Sequence, residues 1–245
     1  MFINDDGIEL HVELEKPADP PPRMPLVIVI HGFTGNMEEE HILAASRTFR
    51  DLGYATLRVE MYGHGQSGGS FRDHTLLKWI GNALTVIDYA LTLDFVTDIY
   101  LCGHSQGGLT VMLAGGLKHD VIKGLIELAP AAMIPELARQ GQLLGYDYDP
   151  DNIPDELMVR PGMPLGNNYA RTAQLIHIED AIDRYDGPVL IVQGTSDYPE
   201  LIKSAEFVSK RYRNCTYVTI EGSTHCYDGH IADMENAIRG WIPEV

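Results

Sequence analysis

A serine hydroxyl is a weak nucleophile until a base takes its proton. The segment Gly103-His104-Ser105-Gln106-Gly107 has the form such a serine needs. It follows an apolar, strand-like run and opens a helix-like one. In that setting Gly-x-Ser-x-Gly is a sharp turn that lifts the serine oxygen off the end of a sheet. Glycines two residues either side let the strand and helix backbones pass close together. The helix start adds unpaired N–H groups and the positive end of its dipole. A glycine-rich turn with a purely structural purpose is the plainer alternative.

The base must come from 10 histidines. His225 lies in Glu221-Gly222-Ser223-Thr224-His225, after the last strand-like run, and is last in the order serine, acid, histidine. It is the expected base. His104, inside the elbow, is expected to point away from that role. His31 closes a strand and shapes its loop, and His64 and His74 are expected at the surface. The expected acid is Asp197 in Gly194-Thr195-Ser196-Asp197, where a carboxylate can accept the imidazole N–H and fix its tautomer. Glu200, Glu221 and Asp228 compete for the role, and a helix cap is the bland reading of Asp197. A tetrahedral oxyanion needs two donors. They are expected from the backbone N–H groups of Gln106 and of Phe33 in His31-Gly32-Phe33-Thr34, unless His-Gly merely ends a strand. Gly32, Thr34 and His104 are expected to border the substrate. The glycine-rich stretch 63–69 lacks the Lys-Ser/Thr ending of a phosphate loop. The spacing in His225-Cys226-Tyr227-Asp228-Gly229-His230 fits no standard metal site. Neither metal nor organic cofactor is expected.

These residues need a scaffold. Apolar runs at 26–30, 54–59, 99–103, 124–128, 189–193 and 216–220 read as strands. Segments 38–52, 75–91, 106–117 and 233–241 have helical period. The βαβα rhythm predicts a mostly parallel sheet with helices on both faces. Residues 8–14 alternate apolar and polar, as an antiparallel edge strand would. Pro17, Pro20, Pro21, Pro22 and Pro25 predict a stiff turn between the first strands. Between Pro130 and Pro188 the spacing is about twice a normal crossover. Residues 141–168 are rich in Gly, Pro, Asp and Asn, which predicts an insertion of lid or binding-loop type. Leu143, Leu144, Tyr146, Leu157 and Met163 give it apolar surface to dock, against the alternative of a disordered excursion.

The 245 residues suit one α/β domain, and 44% hydrophobic with 22% charged residues is a globular balance. Eighteen Lys and Arg against 35 Asp and Glu leave a net charge of −17. Such a body repels phosphate backbones and anionic membranes, so neither nucleic acid nor membrane is an expected partner. The start of the chain has no signal-peptide pattern, and a cytoplasmic location is expected. Cys102, Cys215 and Cys226 form no disulfide framework and no Cys-x-x-Cys pair.

The order His31-Gly32-Phe33-Thr34, Gly103-His104-Ser105-Gln106-Gly107-Gly108, Ala129-Pro130-Ala131-Ala132, Gly194-x-x-Asp197 and Gly222-x-x-His225 resembles the serine α/β-hydrolases. More narrowly, the chain resembles bacterial cinnamoyl (feruloyl) esterases, from about Gly7 to Trp241. The narrower likeness rests on Asp149-Pro150-Asp151-Asn152-Ile153-Pro154-Asp155-Glu156-Leu157, on Asn168-Tyr169 and on Thr224-His225-Cys226-Tyr227. The resemblance implies an α/β-hydrolase fold over residues 1–245, with a lid at about 132–185. It implies a serine carboxylic ester hydrolase that releases hydroxycinnamic acids (ferulate, p-coumarate) through an acyl-enzyme. The implied substrate is a small aromatic acyl ester of plant cell-wall origin, with Tyr169 near its ring hydroxyl. A lid-packing role is the plain alternative for Tyr169. Rival functions are a generalist esterase acting on short acyl esters, thioesters or peptides, and a non-catalytic binding protein on the same fold. A homodimer through the lid or the edge strand is compatible with either.

Overall fold

Met24-Pro25-Leu26-Val27-Ile28-Val29-Ile30 has no polar side chain, and every one of its residues is buried. In the computed structural model, which describes residues 1–243 and 245, this run is a central strand of an eight-stranded sheet. The strands are β1 (Phe2–Asp5), β2 (Ile8–Glu15), β3 (Met24–Ile30), β4 (Ala55–Val59), β5 (Val96–His104) and β6 (Ile122–Leu128). They are followed, after a long insertion, by β11 (Val189–Gly194) and β12 (Cys215–Ile220). Their order across the sheet is β1-β2-β4-β3-β5-β6-β11-β12. From β4 to β12 every pairing is parallel, whereas β2 joins β4 antiparallel.

The alternating strand is therefore antiparallel, as expected, but it is not the edge. β1 pairs outside it, Phe2 opposite His11, through a hairpin turned at Asp6 and Gly7. Both turn residues have positive φ, 51° and 89°, the geometry that favours Asp-Gly in two-residue hairpins.

Helices cover both faces. α1 (Glu40–Asp51) and α8 (Ile231–Trp241) pack one apolar layer through Ile42, Phe49, Met234 and Ile238. On the other face lie α2 (Leu76–Leu91), α3 (Gln106–Leu117), α6 (Ile178–Arg184) and α7 (Pro199–Arg211). α2 starts where the Thr75 hydroxyl accepts the Lys78 N–H at 3.1 Å, an N-cap. α3 has no polar face and is buried along its length up to Gly116. α7, which no periodicity announced, begins with Pro199 at its first turn.

The insertion holds α4 (Ile134–Arg139), two short hairpins and α5 (Asn168–Ala173). The hairpins are β7 (Gln142–Leu143) with β8 (Tyr146–Asp147), and β9 (Glu156–Arg160) with β10 (Met163–Gly166). Leu143, Leu157 and Leu165 are buried and dock it on the core. α6 packs against α3 and belongs to the crossover layer. The departure from the sheet-and-helix pattern thus ends before 178 rather than near 185.

Candidate active site

Strands β3, β5, β11 and β12 run parallel, so their C-terminal ends open on the same rim. Ligands of open α/β sheets bind at that rim. Ser105 follows β5 with φ 55° and ψ −118°, a conformation that costs a non-glycine residue about 1–3 kcal/mol. Three backbone bonds hold it there. Its N–H donates to Leu128 O at 2.9 Å, and its carbonyl accepts from Leu109 at 3.1 Å and Ala131 at 2.9 Å. The flanking glycines answer crowding. A Cβ at Gly103 would sit 2.2 Å from Gly107 O, and one at Gly107 would sit 2.4 Å from the carbonyl oxygens of Ile30 and His31.

His225 Nε2 stands 2.9 Å from Ser105 Oγ, and its Nδ1 stands 2.9 Å from Asp197 Oδ2. An ionised carboxylate only accepts, so Nδ1 carries the proton and Nε2 is free to accept from the serine. The Asp197 side chain is fully buried. Its Oδ2 also accepts from Gln193 Nε2 at 2.8 Å, and its Oδ1 from the Tyr198 N–H at 2.7 Å. Of the competing carboxylates, Asp228 is engaged by the Thr224 hydroxyl and Glu200 lies at the cavity rim. Neither they nor Glu221 bonds the imidazole. Sequence reasoning missed Gln193. Its one signal was a polar residue ending an otherwise apolar strand.

Among the described residues, neither the Phe33 nor the Gln106 backbone N–H meets a protein acceptor. The Phe33 N–H belongs to the same planar peptide as the Gly32 carbonyl, so fixing one end aims the other. The Gly32 carbonyl accepts from His31 Nδ1 at 2.8 Å and from the Gly35 N–H at 3.0 Å. His31 Nε2 in turn accepts from the Met61 N–H at 3.1 Å. Burial, with His64 beside it, pushes His31 down to about 3, so the ring that shapes this loop stays neutral.

A cavity of about 540 Å³ opens over Ser105. Gly32, Phe33, Thr34 and His104 border it, and Met133, Ile134, Leu137, Leu143 and Leu144 from the insertion make an apolar wall. Glu39, Arg160, Tyr198, Glu200 and Cys226 also line it. Burial, then nearby carboxylates led by Glu39, pushes the Cys226 thiol up to about 11. It therefore stays protonated at neutral pH and is no rival nucleophile. Tyr169 does not line this cavity. It is wholly buried, its hydroxyl donates to Gln106 Oε1 at 2.5 Å, and its ring meets Phe33 and His74. The expectation of a surface position for His64 and His74 is also corrected. Both are buried against Trp79 and Phe71, with their Nδ1 atoms on the carbonyls of Tyr62 and Phe71. No group of three or more His, Cys, Asp or Glu among the described residues is arranged to hold a metal ion. No helix among them is long and apolar enough to cross a membrane.

Fold and site together define a serine hydrolase of α/β type. A family model described as serine aminopeptidase, S33, matches residues 21–145, about half of the sequence, and the chain belongs to that family of serine hydrolases. Est1E from Butyrivibrio proteoclasticus, solved with ferulic acid bound, is 54% identical with a TM-score of 0.96, over 98% of this chain and 96% of its own. The palmitoyl-protein thioesterase ABHD10 of Homo sapiens is 30% identical over 110 residues, 45% of this chain. That match spans only 35% of the human protein's length. A carboxylesterase of Bacillus subtilis is 24% identical over 191 residues, 74% of this chain and 76% of its own.

Proposed function

We propose that the protein is a serine carboxylic ester hydrolase that releases hydroxycinnamic acids, such as ferulate and p-coumarate, from their esters. The observation that carries the reaction is the continuous chain Asp197–His225–Ser105, with both contacts at 2.9 Å. Ser105 Oγ attacks the ester carbonyl while His225 Nε2 takes its proton. Asp197 keeps the ring in the Nδ1–H tautomer and stabilises the imidazolium. The N–H groups of Phe33 and Gln106 receive the oxyanion, and one such donor is worth about 3 kcal/mol in related chemistry. Protonated His225 then expels the alcohol, and water repeats the sequence on the acyl-enzyme.

Two observations favour an aromatic acyl group. The insertion gives the cavity an apolar wall, and Est1E, similar over nearly its whole length, binds ferulic acid. The insertion acts as the lid of a single hydrolase domain in this reading. The acid product is an anion and leaves a chain of net charge −17, so the field of the whole protein favours its departure. The test compares kcat/KM for methyl ferulate, methyl p-coumarate and aliphatic methyl esters of matched length. The aromatic esters are expected to lead by tenfold or more, about 1.4 kcal/mol. A lead for the aliphatic esters would leave an esterase without the hydroxycinnamate assignment.

A further inference from the structure

His104 performs no step of the reaction just described, yet it lies between the two loops that do, only 3% exposed. Its Nε2 is 2.9 Å from the carbonyl oxygen of His225. A carbonyl only accepts, so Nε2 carries the ring proton and donates it. The remaining nitrogen, Nδ1, is then bare. It is enclosed, without a partner, and turned toward Gly32. The ring lies 4.7 Å from the His225 ring and 4.1 Å from that of His41, centroid to centroid. Burial, reinforced by His41 and His225, holds its pKa well below the ordinary value, so the ring stays neutral.

The loop that carries His225 is tied to β11 and the turn after it: the Tyr227 hydroxyl donates to Val192 O at 2.8 Å, the Gly222 N–H to Thr195 Oγ1 at 2.8 Å, the Ser196 N–H to Ser223 O at 2.9 Å, and His225 Nδ1 meets Asp197. None of these ties reaches the elbow. Among the described residues, the elbow and this loop share two hydrogen bonds: the reacting contact itself and the one from His104. The nucleophile and base are 120 positions apart in the chain. The residue beside the nucleophile thus grips the backbone of the base.

We propose that His104 is a positioning residue: its donated bond to the His225 carbonyl sets the distance between base and nucleophile, a role separate from its place on the cavity border. The inference rests on the serine-hydrolase reading above. Displacing a reacting group by about 1 Å costs up to 100-fold in rate. His104→Leu is therefore expected to lower kcat on p-nitrophenyl acetate at least tenfold, with KM changed less than about twofold. His104→Gln, whose amide N–H reaches about as far as Nε2, is expected to recover most of that loss. Phosphonylation of Ser105 by a fluorophosphonate, which needs the same base, should follow the same order. His104→Met accompanies the leucine variant, and near-UV circular dichroism verifies packing, so a misfolded leucine protein does not decide the matter. A rise in KM at unchanged kcat would make His104 a substrate contact and overturn the proposal. Equal losses in folded glutamine and methionine variants would overturn it too, because the donor would then be irrelevant. A wild-type protein inert to the fluorophosphonate would instead sink the underlying hydrolase reading, and this proposal with it.

Discussion

Asp197 receives three hydrogen bonds, and two of them fall on one oxygen. One comes from His225, one from the backbone N–H of the next residue, and Gln193 supplies the third from a side chain that takes no part in the reaction. To do so it buries an amide whose own Oε1 finds no partner, a cost of about 1–3 kcal/mol. A residue kept for packing alone would be apolar at this place, at the end of a strand of Val, Leu and Ile. Gln193 is better understood as a strut that fixes the carboxylate for His225. Gln193→Leu should therefore leave the melting temperature unchanged or raised, while kcat falls about tenfold and KM holds. Thermal unfolding with steady-state kinetics on one ester checks both halves, and a drop in both stability and rate would make Gln193 merely structural. This pairing shows the limit of sequence at the residue scale. Ser105 was legible because elbow, strand and helix are contiguous. Asp197 and His225 were legible because each lies in the turn just after a strand. Gln193 and the His104 tie depend on distances between segments far apart in the chain, which no local pattern encodes. Tyr169 was misplaced for the same reason, its orientation being set by Gln106, Phe33 and His74.

Elements carried more of their own evidence. The central strands were readable because burial on both faces leaves only apolar residues, α2 because helical period survives there, and α3 because a run of small and apolar residues follows the elbow. β1 escaped notice although Asp6-Gly7 is a strong hairpin signal, because Phe2-Ile3-Asn4-Asp5 is too short to show alternation. The insertion was visible as a break in rhythm, but its attachment was not. α5 inserts Tyr169 beneath the oxyanion loop and ties the insertion to the first residue of α3 through the Gln106 side chain. Burial raises the pKa of this phenol, so it remains a donor. Tyr169→Phe removes that donor and leaves Gln106 Oε1 buried without it. The expected result is a loss of about 1–3 kcal/mol of stability by urea unfolding. KM for methyl ferulate should change less than about twofold, since the hydroxyl does not face the cavity. A rise in KM for methyl ferulate but not for methyl cinnamate, which lacks the ring hydroxyl, would restore Tyr169 as a substrate contact.

Over the whole molecule, buried titratable groups set two opposing slopes of stability against pH. Burial lowers five histidines: His31 and His74 to about 3, His41 to about 4, His64 in the same direction, and His104 well below its ordinary value. Unfolded, each takes a proton below about 6.5. There the unfolded chain binds more protons, so stability falls as pH drops through that value. Glu127 acts the other way. It is fully buried in β6, bonded among the described residues only by the Tyr212 hydroxyl at 2.7 Å, and burial pushes it up to about 8. Its protonated form belongs to the folded state, so the stability it contributes is present below the ordinary carboxylate value and is lost as pH rises through 8. Between about 4.5 and 6.5 the two effects overlap, and the histidines win by number, since each proton is worth about 1.4 kcal/mol per pH unit. Above 6.5 Glu127 leads, joined at about pH 8.5 by the thiols of Cys102, Cys215 and Cys226, whose pKa values burial also raises, so maximum stability should lie near neutral pH. Urea unfolding from pH 5 to 9 should show a loss of at least about 3 kcal/mol per unit on the acid side, the slope of two or more protons. Glu127→Gln, a neutral isostere that can still accept from Tyr212, should flatten the alkaline arm and be more stable than wild type at pH 9 by up to about 5 kcal/mol. Parallel curves for the two proteins above pH 6.5 would mean that Glu127 is ionised in the fold, and an acid slope below one proton would mean that the histidines are not neutral there.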